Sequence, residues 1–561
     1  MLRIAYPTII CLLGLPILAG TVIATLPAFG YFPAVGATEF TLNVWRDLLA
    51  VPGLTHSLLV SLLAGVVTPL LTLLIVFAFL ASINGSRFDR WVRRLISPVL
   101  AIPHAAAAFG IAFLVAPAGL LSRWVSTGIS GWERPPDLLI INDTWGIAMM
   151  AALVIKEIPF LLLMSLAALT QVNPAERVKI AQSLGYSPAV AWLKTVAPSL
   201  YPLVRLPIFA IIVFASANVD VALILGPVLP PTLSVQILQW FSDPDLSRRL
   251  LAAAAALLQL GISMIAILLW VGAESVVSRV AKIWMVAGQR QRGEALIRIS
   301  GRSGIALALV TILGSLLALA INGFSGEWRY PASLPANWTL DHWANLFGEV
   351  GLPLTNTLLI GIGTSLAAVV LVIASLEWRF RTNSFTLQAR TSLLLYMPLL
   401  IPQIVFLFGM VILSEFLQIP TGLLLVGFAH LLFVVPYIYL SLSEVYRHID
   451  PRYSQVAASL GASPSKSFWR VRAPMVLAPI LTACALGMAI SISLFLPTQL
   501  IGAGRISTIT TEALALASGG SRSTIGVWAM IQTALPALVF LVALFLPQVL
   551  WRNRAGMRSI E

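Results

Sequence analysis

The feature that most constrains this chain is a series of apolar stretches, each about as long as a lipid bilayer is thick. A helix needs about 20 mostly apolar residues to cross the hydrocarbon core. The stretches occur at 8–29, 55–82, 95–119, 144–170, 203–228 and 251–277, and again at 304–321, 352–376, 391–414, 421–442, 475–497 and 524–550. They predict an all-α integral membrane protein with about 12 transmembrane helices.

The composition excludes other classes of protein. Of the 561 residues, 59% are hydrophobic and 10% are charged, whereas soluble globular chains carry about 45–50% and about 25%. This excludes a soluble multidomain enzyme, and also a disordered chain, which would be rich in charge and poor in apolar residues. In a soluble chain the net charge of +13 would suggest nucleic acid binding. In a membrane protein the net charge instead bears on how the chain is oriented in the bilayer, and we expect no nucleic acid partner.

The positive charges predict the orientation, because cytoplasmic loops carry an excess of Lys and Arg. If the N-terminus is inside, 25 of the 35 bases fall in inner segments and eight fall in outer ones. The other two, Lys156 and Arg205, lie within or at the edge of predicted spans. Both termini are therefore predicted to be cytoplasmic, and we expect the membrane to be the inner membrane of a bacterium.

The two series of spans are an internal repeat. Residues 55–60 (THSLLV) match residues 355–360 (TNTLLI), and Ser183-Leu184-Gly185 recurs as Ser459-Leu460-Gly461. Six spans per unit is an even number, so the two units have the same orientation and are related by an axis along the membrane normal. We predict a first unit at 1–277, a basic cytoplasmic linker at 278–303 and a second unit at 304–561.

The inner loop between the fourth and fifth spans of each unit has a distinctive pattern. These loops cover 173–198 and 450–474, and they begin with Asn-Pro and Asp-Pro, which are helix start signals. Gly185 or Gly461 then supplies a turn, and a Ser-Pro pair begins another helix. Each unit is therefore predicted to present a helix–Gly–helix loop at the inner face, parallel to the membrane.

On these residues the chain resembles the permease subunits of binding-protein-dependent ABC importers. Their cytoplasmic signature is Glu-Ala-Ala, three residues, Gly, and a hydrophobic stretch that ends in Pro. The matching segments here are Lys179-Ile180-Ala181 before Gly185 and Pro198, and Gln455-Val456-Ala457 before Gly461 and Pro474. The leading Glu is absent from both copies, while the Leu, the Gly and the closing Pro are kept. The fused two-unit arrangement is most similar to the thiamine and iron(III) importer permeases.

The resemblance implies a coupling helix in each loop that docks on a cytoplasmic ABC ATPase, present in two copies. It also implies that an external, periplasmic or extracellular, solute-binding protein delivers the solute. The residues expected to couple to the ATPase are Lys179, Ala181, Leu184, Gly185, Gln455, Ala457, Leu460 and Gly461. No cofactor is expected in this chain, because ATP and Mg²⁺ would bind to the partner ATPase. Thiamine is the favoured solute, with iron(III), a polyamine or an oxyanion as alternatives.

No enzymatic activity is predicted for the chain itself. None of its five lysines follows a glycine, so it has no GxxxxGK[ST] phosphate loop. Its five histidines are scattered, and both cysteines lie in apolar runs, so no catalytic or metal site is expected. The main alternative is an ion-coupled secondary transporter built of two parallel repeats. That alternative explains the duplication but gives no reason for two matched inner loops.

Three charged residues lie within predicted spans: Lys156 and Glu157 in the fourth, and Asp220 in the fifth. An ionisable residue at the centre of a membrane helix costs about 2.5–3.5 kcal/mol on insertion scales, so it usually faces protein or water. Glu157 or Asp220 could therefore line the substrate path. Alternatively, Lys156 could pair with Asp220 and stabilise helix packing, which is the interpretation we favour.

Overall fold

A computed structural model describes residues 2–83, 85–288, 290–291, 293–382 and 395–550. Over these residues the secondary structure is helical, with three isolated β-bridges and no strand. Twelve principal helices, labelled here α1 to α12, are Leu2–Ala28, Leu54–Ser82, His104–Val115, Ile147–Leu169, Ala197–Ser216, Arg248–Val286, Glu294–Phe324, Gly351–Arg381, Gln403–Phe416, Leu423–Arg447, Leu477–Ser493 and Arg522–Leu550. The prediction of an all-α integral membrane protein is confirmed.

Shorter helices connect or extend the principal ones. In the first half they are Pro33–Val35, Asn43–Leu49, Arg87–Leu100, Leu120–Val125, Ser126–Ser130, Pro174–Ser183, Pro188–Thr195, Asp220–Leu225 and Leu233–Phe241. In the second half they are Asp341–Glu349, Met397–Leu400, Arg452–Ser459, Pro464–Ser467, Phe468–Arg472, Ala473–Met475, Leu496–Ile501, Ile509–Ala515 and Leu516–Ser518.

The count of spans is close to the predicted one. Ten described helices are long and apolar enough to cross a membrane, and an eleventh is a pair, Pro464–Met475 and Leu477–Ser493, bent by 73°. One of the ten is His104–Ser130, in which α3 continues through the two short helices that follow it, and the shorter apolar helix α9 has 14 residues. The ninth predicted span begins at 391, and its residues up to 394 lie outside the described part of the chain.

Two predicted spans end or begin at different places in the structure. The third was predicted over 95–119, but α3 begins at His104, directly after Pro103, because the residue before a proline disfavours helical geometry. The fifth was predicted over 203–228, but α5 ends at Ser216. The Asn218 side chain accepts a hydrogen bond of 2.9 Å from the backbone N–H of Val221, and this contact begins a separate short helix.

The first helix of each half packs against the other half. Helix α1 lies along α9 and α8, and α7 lies along α3 and α2. Small residues permit both approaches: a Cβ at Gly409 would fall on the backbone of Gly20, and a Cβ at Gly110 would lie 2.7 Å from the Ser315 carbonyl oxygen. The remaining helices of each half pack on one another in corresponding ways, α2 with α4 and α5, and α8 with α10 and α11.

Corresponding hydrogen bonds support the internal duplication. The Ser57 hydroxyl donates to the Pro231 carbonyl at 2.6 Å, and the equivalent Thr357 hydroxyl accepts from the backbone N–H of Ile509 at 3.0 Å. In both halves the second helix is therefore tied to the segment that follows the broken fifth span. The predicted linker, 278–303, is mostly helical, because α6 continues to Val286 and α7 begins at Glu294. The unit boundaries themselves stay a prediction.

Candidate coupling loops and membrane-buried charges

The first predicted coupling loop forms two short helices, Pro174–Ser183 and Pro188–Thr195. Gly185 stands between them with φ +85°, a left-handed conformation that glycine adopts without strain from a Cβ. The Leu184 side chain is 60% exposed, whereas Ala181 is buried. The sequence pattern therefore gives the predicted helix–Gly–helix geometry.

The second loop has the same geometry at the equivalent positions. Its helices are Arg452–Ser459 and Pro464–Ser467, and Gly461 has φ +77°. Leu460 is 82% exposed, and Ala457 is buried like its counterpart in the first loop. The second helix then passes into a π-helical turn at Phe468–Arg472, a feature that the first loop does not share within its described helices.

The eight predicted coupling residues divide into two groups. Six of them are exposed (Lys179, Leu184, Gly185, Gln455, Leu460 and Gly461), and only Ala181 and Ala457 pack inward. Ile180 and Val456, which were not among the predicted residues, are also exposed. Each lies four residues before the exposed leucine, so the two side chains share one helix face. The sequence could have indicated these two residues, because an apolar residue recurs four positions before the leucine in both loops.

The first loop is attached to the segment that connects the two halves. The Glu294 carboxylate, at the start of α7, accepts hydrogen bonds from the Ser187 hydroxyl at 2.7 Å and from the backbone N–H of Ala189 at 3.0 Å. A carboxylate is favourable there, because it lies at the N-terminus of helix Pro188–Thr195. The backbone N–H of Ser187 also donates to the Arg290 carbonyl at 2.9 Å.

A lysine strengthens the attachment of the first loop. Lys194 Nζ donates to the Trp284 carbonyl at 3.0 Å. The same ammonium lies 4.7 Å from the centre of the Trp284 ring and 4.8 Å from that of Tyr186, within the range of cation–π attraction. The loop is thus in contact with the C-terminal end of α6 and with the start of α7.

The second loop is attached to its own half through a buried carboxylate. Glu377, near the end of α8, is 2% exposed and accepts a hydrogen bond of 3.1 Å from Arg472 Nε and a second one from Arg472 Nη2. Arg381 Nε donates to the same carboxylate at 2.6 Å, and its Nη2 donates to the Pro464 carbonyl at 3.2 Å. Sequence reasoning missed this cluster: Arg381, four residues after Glu377, was a readable partner, but Arg472 is 95 residues away.

Arg472 also reaches the first helix of its loop. Its Nη1 donates to the Ser454 hydroxyl at 2.5 Å and to the Ser467 hydroxyl at 3.3 Å. One buried guanidinium therefore connects α8 with both helices of the second loop. Two charge-assisted hydrogen bonds to one carboxylate fix its direction as well as its position.

The favoured pairing of Lys156 with Asp220 is wrong. Lys156 is buried, and its Nζ donates to the Ile102 carbonyl at 2.6 Å and to the Val99 carbonyl at 3.2 Å. The physical reason is Pro103, which has no N–H and so cannot donate to the carbonyl four residues earlier. That carbonyl, of Val99, keeps only a long bond of 3.4 Å from the backbone N–H of Ile102, and the lysine adds a second donor to it while making its shorter bond to the Ile102 carbonyl.

The other two charges lie in separate surroundings. His104 Nε2 lies 3.4 Å from Glu157 Oε1, and the His104 ring packs at 4.9 Å from the Phe214 ring. Asp220 accepts a hydrogen bond of 2.8 Å from Asn218 Nδ2. The three predicted residues therefore do not form one site. Within the described ranges no group of three or more His, Cys, Asp or Glu side chains could hold a metal ion.

Comparison with known proteins identifies the family of this chain. The family described as binding-protein-dependent transport system inner membrane component matches residues 370–554, which lie in the second half. The inner membrane ABC transporter permease protein YnjC of Escherichia coli is 30% identical over 525 residues, or 92% of this chain and 93% of that protein. The chain belongs to this family of ABC transporter permeases.

Other relatives of this permease match a smaller part of the chain. A putative 2-aminoethylphosphonate transport system permease protein, PhnV of Salmonella typhimurium, is 28% identical over 228 residues, which cover 39% of the permease and 84% of PhnV. A spermidine/putrescine transport system permease protein PotC homolog of Mycoplasma genitalium is 28% identical over 172 residues, 30% of the permease and 60% of its own length. These names give no support to thiamine as the solute.

Proposed function

We propose that this multi-pass permease is the membrane subunit of an ATP-driven importer, and that its two loops, 173–198 and 450–474, dock on two cytoplasmic ATPase subunits. The single observation that supports this most is the matched pair of exposed apolar faces, Ile180 with Leu184 and Val456 with Leu460. Exposed apolar side chains on short, well-anchored helices suit insertion into a groove on a partner protein. The two faces occur at the same offset, as two copies of one partner require.

Under this proposal the chain provides the path for the solute and the movement that opens it, the ATPase provides the energy, and the binding protein selects the solute. ATP and Mg²⁺ bind to the ATPase, and an external binding protein presents the solute. The membrane is a bacterial inner membrane, with both termini in the cytoplasm, as the distribution of Lys and Arg predicts. A short helix that is rigidly held by its neighbours passes a rigid-body displacement to the spans on either side of it.

For the substrate path we propose Glu157 together with His104, and we assign Lys156 to the helix break. Glu157 is an ionisable residue buried within a span, as residues on a substrate path are, and it faces a partly exposed histidine, so we assign to it the contact with a solute that has an amino group. The relatives named for 2-aminoethylphosphonate and for spermidine/putrescine support a solute of that kind, among the polyamine and oxyanion alternatives. The Glu157→Gln variant should lose the uptake of amine-bearing solutes before that of other solutes. Unchanged uptake of every amine-bearing solute would refute the assignment.

The docking proposal is tested by co-purification with the ATPase and by ATP-driven uptake into vesicles. Leu184→Asp and Leu460→Asp should each weaken retention of the ATPase about tenfold, because each places a charge in an apolar contact. Ile129→Asp is the control, since Ile129 is 85% exposed but belongs to another loop. If both loop variants retain the ATPase and transport normally, the docking surface is wrongly assigned. If uptake continues without ATP on an ion gradient, the permease is a secondary transporter instead.

A further inference from the structure

A polar cavity lies between the two halves at the end of the molecule opposite the coupling loops. Its volume is about 130 Å³. The lining residues used below are Arg123, Asn322, Ser325, Trp328, Arg522 and Ser523. Helix α7 connects this end with the coupling-loop end, since Glu294 contacts the first loop and the other end of the helix is Phe324. At 1.5 Å per residue its 31 residues extend roughly 46 Å.

Arg123 is the buried cation of this cavity. Its side chain is 6% exposed and lies over the Trp328 ring, 4.4 Å from the ring centre. Its guanidinium donates to the carbonyls of Ala118, Trp328, Arg329 and Ala332, at 3.0–3.3 Å. These four bonds leave one of its five N–H groups without a partner among the described residues.

Arg522, at the start of α12, brings a second guanidinium to the same place. Its Nη1 donates to the Ala118 carbonyl at 2.8 Å, and Arg123 Nε donates to that same oxygen at 3.2 Å. In the described part of the chain, neither guanidinium lies within 4.0 Å of a carboxylate oxygen. Two cations therefore share one carbonyl, in a partly desolvated cavity, without an opposite charge beside them.

We propose that this cavity binds a small oxyanion. Like charges held together in a low-dielectric site repel each other, and an anion between them removes the repulsion. Guanidinium groups match carboxylate, phosphate and phosphonate oxygens with two parallel hydrogen bonds. Arg522 still has four N–H groups to offer, and the other polar lining residues, Asn322, Ser325 and Ser523, are uncharged.

The size of the cavity limits the anion. One water needs about 10–15 Å³ of such a cavity, so a volume of about 130 Å³ has room for several waters or for one small tetrahedral oxyanion. The occupant is a free anion of the size of phosphate. The site is separate from the proposed docking surface and from Glu157, so this inference does not depend on either assignment.

The test uses the purified full-length permease in detergent and inorganic phosphate as the probe, at constant ionic strength. The unfolding temperature and the Trp fluorescence should both change with phosphate concentration and then saturate. The fluorescence should respond because Trp328 lines the cavity. Arg522→Gln should weaken the response about tenfold, since it removes a charged donor. The control is Arg505→Gln, at an exposed arginine that does not line the cavity.

These outcomes test the proposal without a substitution of the buried Arg123. No phosphate response in the natural protein overturns it, as does an equal response in Arg522→Gln. A second arm compares nanodiscs of phosphatidylcholine with nanodiscs that contain phosphatidylglycerol. Phosphate binding should be the same in both. If the anionic lipid abolishes it, a lipid headgroup occupies the cavity and the assignment to a free anion fails.

Discussion

The two coupling loops have the same exposed face and different attachments. Each places an apolar pair four residues apart before a left-handed glycine. The first loop is attached to Glu294, in the helix that begins the other half, and the second is attached to Glu377, in its own half. The surface proposed to face a partner is alike in the two loops, while the contacts behind it differ. Docking and anchoring are therefore separable properties of these loops.

The largest effect is expected at the second loop, from Glu377→Ala. Removing one partner of a buried ion pair leaves an uncompensated charge and costs about 3–5 kcal/mol, and here two arginines, Arg381 and Arg472, would lose it. We expect a clear fall in thermal stability, with increased hydrogen exchange in 452–472. Glu444→Ala, which removes an exposed pair with Arg447, is the control and should change stability little. Equal effects of the two variants would mean that Glu377 does not anchor the loop.

An intermediate effect is expected from alanine at the two turn glycines. Both residues have positive φ, so Gly185→Ala and Gly461→Ala each incur strain of about 1–3 kcal/mol. A Cβ at Gly185 would also lie 3.3 Å from the Arg290 side chain, whereas a Cβ at Gly461 has open space. We therefore expect Gly185→Ala to reduce ATPase retention at least as much as Gly461→Ala does. The reverse order in a pull-down would show that the contact with Arg290 is not a constraint.

The smallest effect is expected from Glu294→Gln. The variant keeps the shape of the side chain and removes the charge at the N-terminus of helix Pro188–Thr195, a loss of about 0.5–2 kcal/mol. Hydrogen exchange should increase in 187–195 and stay unchanged in 464–472, because the Glu294 carboxylate accepts its hydrogen bonds from Ser187 and Ala189 of the first loop. Glu349→Gln, on a separate helix, is the matched control. Increased exchange in both loops would mean that they are not anchored independently.

The sequence predicts the parts of this molecule that depend on local chemistry. Apolar runs gave the spans, and the Asn-Pro and Ser-Pro signals with Gly185 gave the loop geometry. The sequence does not predict the contacts between distant segments. The partners of Lys156 are the carbonyls of Val99 and Ile102 beside Pro103, and a sequence does not show which side chain will reach a backbone carbonyl. Glu377 and Arg472 are 95 residues apart, and neither has a charged counterpart in the first half to indicate their pairing.

The exchange of first helices between the halves determines which parts of the permease can move together. Helix α1 lies against α8 and α9, and α7 lies against α2 and α3. Each first helix also packs on its own half, α1 on α6 and α7 on α12, but less extensively, so we expect a rocking motion of one half to carry the first helix of the other half with it. The mechanical bodies of this permease then differ from its sequence repeats: one is α2 to α6 with α7, and the other is α8 to α12 with α1. Each body holds one coupling loop, and each is joined to the other through two continuous stretches of chain.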